Sequence, residues 1–313
     1  MSQTNVNSNV SAGSAQPRTA QLPPGKPASS SSTQSNFLRS LPTNVVIAVV
    51  LLIGVLTMLT PFLWMLSASF KQEAKVLSYP PSLWPDPWTL DNYTYVFQTL
   101  GYMRFVVNSL IVVTFTISGH VISGSLVAFG FARMRFPGRN VLFFLVLSTM
   151  MIPFHAYMIP RFIIMRQLHL LDTLAAVFLP YLFGGAFYIF LMRQYFMSLP
   201  FELDDAARID GCNSFQIYAR IAMPLAKPVV VTVVVLEFLA AWTSFLEPLI
   251  YLNTQDKYTV ALGLSLLRSG FGGRIAWGPM MAATALSALP PLIVFLLAQK
   301  QLIGGIAVTG IKG

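Results

Sequence analysis

Few residues in this sequence can do chemistry, and most of those sit in apolar surroundings. Glu237 and Glu247 lie ten residues apart within one apolar stretch, and His120 and His155 interrupt two others. A carboxylate in such a stretch must line a polar pathway or meet a partner group, because burying it alone is costly. Glu237, deeper in its stretch, reads as pathway-facing, an acceptor for solute hydroxyls. Glu247 precedes Pro248 near the stretch's end and reads equally as pathway-facing or as a wetted helix end. Trp242 and Phe245 could stack on a flat solute face, although packing against a neighbouring helix is the commoner use. Neither histidine has an acid near it in sequence, so both read as packing residues rather than proton carriers. Cys212 is the one cysteine, which excludes an intrachain disulfide, and it reads as an inert filler. Gly25-Lys26 runs into Pro27 without P-loop spacing, and no His-Glu-x-x-His pattern occurs. An ATPase site in this chain is therefore not expected.

The elements that must position these residues follow from composition. Of 313 residues, 55% are hydrophobic and only 10% charged, and the mean hydropathy is +0.65. Soluble domains carry about 25% charged residues, so the expected solvent is lipid. The net charge of +9 is spread between apolar blocks, which fits basic membrane loops better than a nucleic-acid surface.

Residues 1–36 are mostly Ser, Thr, Gln, Asn, Pro and Gly and read as disordered. No apolar core of a signal peptide begins within the usual first residues, so the first apolar segment reads as a retained anchor. Six windows, 45–65, 105–131, 141–160, 174–192, 229–252 and 278–298, are each near the ~20 residues needed to cross a bilayer core. Lipid offers backbone groups no partners, so such windows must be helical. The expected fold is an all-α membrane protein with six transmembrane helices. A cytoplasmic tail covers 1–40 and a transmembrane domain covers 41–313. With both termini cytoplasmic, twelve Lys and Arg fall inside, Arg133 among them. Eight fall outside, including Lys71 and Arg161. That bias favours this orientation. Lys71 to Arg104 then forms an outer cap whose Trp84, Trp88, Tyr93 and Tyr102 suit the membrane interface. Asn92-Tyr93-Thr94 matches a glycosylation acceptor, a pattern short enough to arise by chance.

The polar loop at 200–225 stands out. Glu202, Asp204 and Asp205 crowd a first turn after Pro200, where acids complement the helix dipole. Leu203, Ala206 and Ala207 form a thin apolar face on which another backbone could close. Gly211 stands where a left-handed stop belongs. Phe215, Tyr218, Ala219 and Ala222 then give a second short helix, ended by Met223-Pro224. The first helix sets Arg208 against Glu202, Asp204, Asp205 and Asp210. A net negative helix is repelled by anionic lipid, so a soluble partner with basic groups suits it better.

Asp205-Ala206-Ala207, three residues, Gly211, nine residues, and Ile221-x-Met223-Pro224 together resemble the EAA loop of ATP-binding-cassette importer permeases. Asp205 stands for the usual Glu and Met223 for Leu. Pro87 to Tyr93, Asn108-Ser109-Leu110, Trp242 to Leu249 and Gly305 to Gly313 are similar to segments of the maltose-type sugar permeases, in the same order. The likeness covers roughly 43–313. It implies the type I importer permease fold and a multi-pass place in a bacterial or archaeal inner (plasma) membrane. It also implies a second permease subunit, an ATPase dimer, an extracellular or periplasmic solute-binding protein and surrounding membrane lipid, with no nucleic-acid partner. ATP and Mg would be bound by the partner ATPase, and this chain itself would carry no cofactor. Asp205, Ala206, Ala207, Gly211, Ile221 and Pro224 would couple the ATPase to the spans. Glu237, Trp242, Phe245 and Glu247 would line a sugar pathway. The competing readings are an ion-coupled secondary transporter, for which no internal repeat is evident, and an intramembrane enzyme using Glu237 and Glu247.

Overall fold

The computed structural model describes residues 32–269 and 275–309, with side chains over 45–268 and 275–300. Of the expected disorder over 1–36, residues 1–31 lie outside these residues, as do the last four of the C-terminal resemblance, whereas 32–36 are helical and correct that expectation. The chain divides into two units, Met1–Met58 and Leu59–Gly313. The first holds most of helix α1 (Ser32–Ser69), which begins at Ser32 rather than near residue 41. Its Val50, Leu51 and Ile53 are exposed.

Among its described residues the second unit is built of helices and connecting loops, with no strand. After the end of α1 come α2 (Tyr102–Arg133), α3 (Arg139–Thr149), α4 (Phe154–Gln167) and α5 (Leu174–Ser198). They are followed by α6 (Glu202–Ile209), α7 (Ser214–Leu225), α8 (Lys227–Thr243), α9 (Leu246–Tyr251), α10 (Val260–Ser269) and α11 (Trp277–Thr309). Val45–Ser69, α2, α5 and Trp277–Lys300 are each long and apolar enough to cross a bilayer. Two bent pairs, α3 with α4 at 95° and α7 with α8 at 75°, bring the spans to six if each pair counts as one.

Two of the six expected windows are broken within their length. The window 141–160 turns through 95°, because Pro153 has no N–H for the Thr149 carbonyl and its ring would meet that carbonyl in a continuing helix, so α3 ends at Thr149. The window 229–252 breaks at Ser244, whose carbonyl would meet the Pro248 ring four residues later in a continuing helix.

α2 is the central element. Tyr102, Phe105, Ser109, Val112, Thr116 and Gly119 recur at three- and four-residue steps and are buried along one face. Met103, Val107, Leu110 and Phe115 on the other face are exposed, as befits a lipid-facing surface. Small residues permit close crossings in membranes. A Cβ added at Gly119 would lie 2.3 Å from the Tyr181 carbonyl oxygen of α5. Near the start of α2, Asn108 donates to the carbonyls of Asp256 and Tyr258, and the Ser109 hydroxyl accepts the Val260 N–H that opens α10. Glu73 accepts the first two N–H groups of α11, from Trp277 at 2.8 Å and Gly278 at 2.6 Å, as a cap supplied from across the fold.

Candidate functional site

The loop helices α6 and α7 form a hinge with both inner ends specified. Gly211 has φ +80°. The Cys212 N–H donates to the Ala207 carbonyl at 2.9 Å and the Gly211 N–H to Arg208 at 3.0 Å, a Schellman stop. Asn213 then caps α7. Its side chain accepts the Gln216 N–H at 2.9 Å, while the Gln216 side chain accepts the Asn213 N–H at 2.8 Å. This Asn-x-x-Gln box was readable in the sequence and was missed there.

The hinge is tied to the spans at two points. Arg133, at the end of α2 and only 6% exposed, donates to the Phe196 carbonyl at 2.9 Å and the Leu199 carbonyl at 2.7 Å. It also reaches the Asp204 carboxylate at 3.3 Å, and its guanidinium lies 4.4 Å from the Phe201 ring centre. Further along, the Tyr218 hydroxyl shares a buried 2.7 Å hydrogen bond with Ser125 of α2. The Tyr218 ring meets Phe129 edge-on at 5.5 Å.

The expected alanine face divides. Ala207 is buried in the core formed by α2, α5, α7 and α8, while Ala206 and Leu203 are exposed. The cause is the Arg133–Asp204 tie, which turns the Asp204 and Ala207 side of α6 inward. Asp205, Glu202 and Asp210 face outward. Ile221 is half-buried against the same core and Pro224 is exposed. The outward face also carries Ile209 and Phe215, 87% and 65% exposed on either side of the Gly211 turn. It is an apolar tip with an acidic rim.

The second candidate site lies within the spans. Glu237 of α8 and Glu247 of α9 line one cavity of about 90 Å³ with Val112, Thr116, Val177, Tyr181, Ala240, Ala241 and Ser244. Glu247 is 8% exposed, so it is no wetted helix end. It is paired with Arg161 of α4 at 2.9 Å and accepts a hydrogen bond from the Tyr181 hydroxyl. Glu237 lies 3.3 Å from the ring nitrogen of His120 on α2. The histidine read as having no acid nearby therefore has one in space. Sequence distance hid it, because the partners are 117 positions apart. Arg161 and Arg133, counted as loop charges, are buried ion-pair partners instead, and Lys71 is buried too. The signal available beforehand was the cost of an unpaired buried carboxylate, which demands a cation from another helix.

Trp242 and Phe245 do not line the cavity. Trp242 is buried, stacks on Phe238 at 5.7 Å and donates its indole N–H to the Ser287 carbonyl at 3.0 Å. Phe245, just before α9, is partly exposed. His155, near the start of α4, meets Phe154 ring to ring. Among the described residues, no group of three or more His, Cys, Asp or Glu could hold a metal ion.

At the far end of α5 from the hinge, Asp172 joins two loops. It accepts the Asn253 and Thr254 N–H groups at 3.0 and 2.9 Å and the Lys257 ammonium at 2.8 Å. The Lys257 bond, followed by those from Thr254 and Asn253, holds this carboxyl well below the usual carboxylate range.

Residues 120–307 match the family described as binding-protein-dependent transport system inner membrane component. The arabinooligosaccharides transport system permease protein AraQ of Bacillus subtilis (strain 168) is 36% identical over 258 residues, which cover 82% of this chain and 91% of that protein. The diacetylchitobiose uptake system permease protein NgcG of Streptomyces coelicolor is 30% identical over 80% of this chain and 82% of its own length. Among solved structures, a chain from a bacterial ABC transporter involved in the import of the acidic polysaccharide alginate superposes with a TM-score of 0.73. It is 27% identical and covers 84% of this chain and 97% of that one. With bent apolar spans joined by a doubly capped hinge, and with this likeness across four-fifths of its length, the chain belongs to the binding-protein-dependent inner membrane components, the multi-pass permease subunits of ABC importers.

Proposed function

We propose that this permease carries a carbohydrate, driven by a separate ATPase that grips the α6–α7 hinge. The observation that carries the reading is the outward tip of that hinge. A rigid, doubly capped turn holds two large apolar side chains, Ile209 and Phe215, in the open beside Asp205 and Asp210. Exposed apolar groups rimmed by charge mark a protein contact, and acid favours a basic partner over an anionic lipid surface. The ties through Arg133 and Tyr218 then pass any push into α2 and α5.

The hinge faces the cytoplasm in this reading, with both termini on that side. ATP and Mg are held by the ATPase dimer and not by this chain. A second permease completes the pathway, and an outer solute-binding protein delivers the solute. The saccharide class is supported by the names of the related carriers, for arabinooligosaccharides, diacetylchitobiose and alginate. Glu237 and Glu247 border the pathway, whereas Trp242 supports it from the core.

The test is the assembled complex with Ile209→Asp and Phe215→Asp together. The expected result is normal membrane insertion, loss of ATPase co-purification and loss of hydrolysis stimulated by the binding protein. Retention of both would refute the hinge's role.

A further inference from the structure

We infer that the turn between α2 and α3 is a seat for the phosphate headgroup of an anionic phospholipid, whose acyl chains lie along α3. The turn forms a groove of about 470 Å³ lined by Arg135, Phe136, Gly138, Arg139, Asn140 and Val141. Arg193 of α5 stands near Arg139 without lining the groove. Its guanidinium sits 4.0 Å from the ring centre of Phe143, one helical turn beyond Arg139, close enough for the two positive charges to repel. Among the described residues no carboxylate lies within ion-pair distance of Arg135, Arg139 or Arg193. Arg139 is bonded only to the Met134 carbonyl at 3.1 Å and Arg193 only to Phe131 at 3.3 Å. Asp204 and Asp205 face Arg135 across the neighbouring groove, but Asp204 is engaged by Arg133.

Arg135 and Arg139 in one groove, with Arg193 nearby and no carboxylate within ion-pair distance, make an anion site, and their surroundings select a lipid over a soluble anion. The residues that follow directly, Val141, Leu142, Phe144 and Leu145, are apolar and exposed on α3. A free phosphate would use the arginines alone. A phospholipid uses both, with its headgroup at the turn and its chains on the helix that descends from it. Basic pockets beside transmembrane helices take anionic headgroups in this way, each Lys or Arg near the surface strengthening binding about fivefold.

The experiment uses the full importer complex in mixed micelles, with binding of phosphatidylglycerol and phosphatidylcholine measured by native mass spectrometry. Wild-type complex is expected to retain phosphatidylglycerol in preference to phosphatidylcholine. R135Q and R139Q should each weaken that binding about fivefold, and together about thirtyfold. R166Q, an exposed arginine at the other end of α4, should leave it unchanged. The single variants keep the test decisive if the double variant does not assemble. Equal retention of the two lipids, or undiminished binding in R135Q and R139Q, would overturn the inference. So would displacement of phosphatidylglycerol by millimolar inorganic phosphate, which would make the groove a soluble-anion site.

Discussion

Replacing Arg133 by Met tests how the hinge is held. The side chain is buried and serves three acceptors within 3.3 Å, the carbonyls of Phe196 and Leu199 and the carboxylate of Asp204. Met fills much of the same volume but donates nothing. Removing one partner of a buried ion pair costs about 3–5 kcal/mol, because the remaining charge is stranded. The lower end applies here, since Asp204 borders the groove lined by Arg135 and Arg208 and water can reach it once Arg133 is gone. A loss of about 3 kcal/mol is a hundredfold or more in the ratio of folded to unfolded chain. Part of this is the stranded charge and part is the two carbonyl bonds, which a double-mutant cycle separates. In an Asp204→Asn background no charge is stranded, so Arg133→Met should cost at least 1 kcal/mol less than in the wild-type chain. The assay is reversible unfolding in mixed detergent micelles for the four members of the cycle. A cost for Arg133→Met below about 1 kcal/mol, or the same cost in both backgrounds, would show that the pair does not anchor α6.

Gly119→Ala should abolish the close crossing of α2 and α5, since its Cβ would strike backbone at 2.3 Å, whereas Gly130→Ala meets nothing within 4 Å. Only the first should lower the yield of monodisperse protein on size exclusion. Trp242→Phe should lower stability by about 1 kcal/mol for the lost bond to Ser287 while leaving the transport KM unchanged, and a raised KM would return Trp242 to the pathway. Asp172 has a lowered folded-state pKa, so its contribution is present above the unfolded value of about 3.9 and is lost as pH falls below it. Amide exchange at Asn253 and Thr254, corrected for intrinsic rates, should therefore stay flat from pH 7 to about 5 and quicken towards pH 3. In Asp172→Asn it should be fast throughout.

What the sequence disclosed and what it hid have different physical origins. The apolar runs of α1, α2, α5 and α11, the hinge and its glycine stop were legible because they are local. Apolar runs of bilayer length, a glycine where φ turns positive and acids in a first helical turn all declare themselves within a few residues. The breaks at Pro153 and Ser244 were half legible: the prolines were visible, but whether each kinks a helix or ends it depends on what packs beside it. The long-range pairs were not legible. His120 meets Glu237, Arg133 meets Asp204 and Arg161 meets Glu247 across long stretches of chain; read alone, each arginine looks like a loop charge and His120 like a packing residue. The direction of Ala207 failed for the same reason, since a buried arginine on α2 sets which side of α6 turns inward.

Those long-range pairs also limit how the two candidate sites can communicate. Two elements run from the hinge to the cavity. α8 follows α7 directly through the bend at Ala226 and carries Glu237. α2 meets the hinge at Arg133 and Ser125 and reaches the cavity at Thr116 and Val112. At 1.5 Å per residue, Ser125 and Thr116 are about 14 Å apart along α2, and the segment between them includes a π turn at His120–Gly124. Such turns leave a helix locally adjustable and often mark functional positions. The 3.3 Å contact between His120 of α2 and Glu237 of α8 lies at the start of that turn, and Glu237 stands at the wall of the cavity. A push on the hinge that slides α2 against α8 must therefore be absorbed by the π turn or by the His120–Glu237 contact. Where the contact takes it up, the displacement reaches a carboxylate that borders the cavity, as a mechanical link between hinge and pathway requires; where the π turn takes it up, the displacement stops short of that carboxylate.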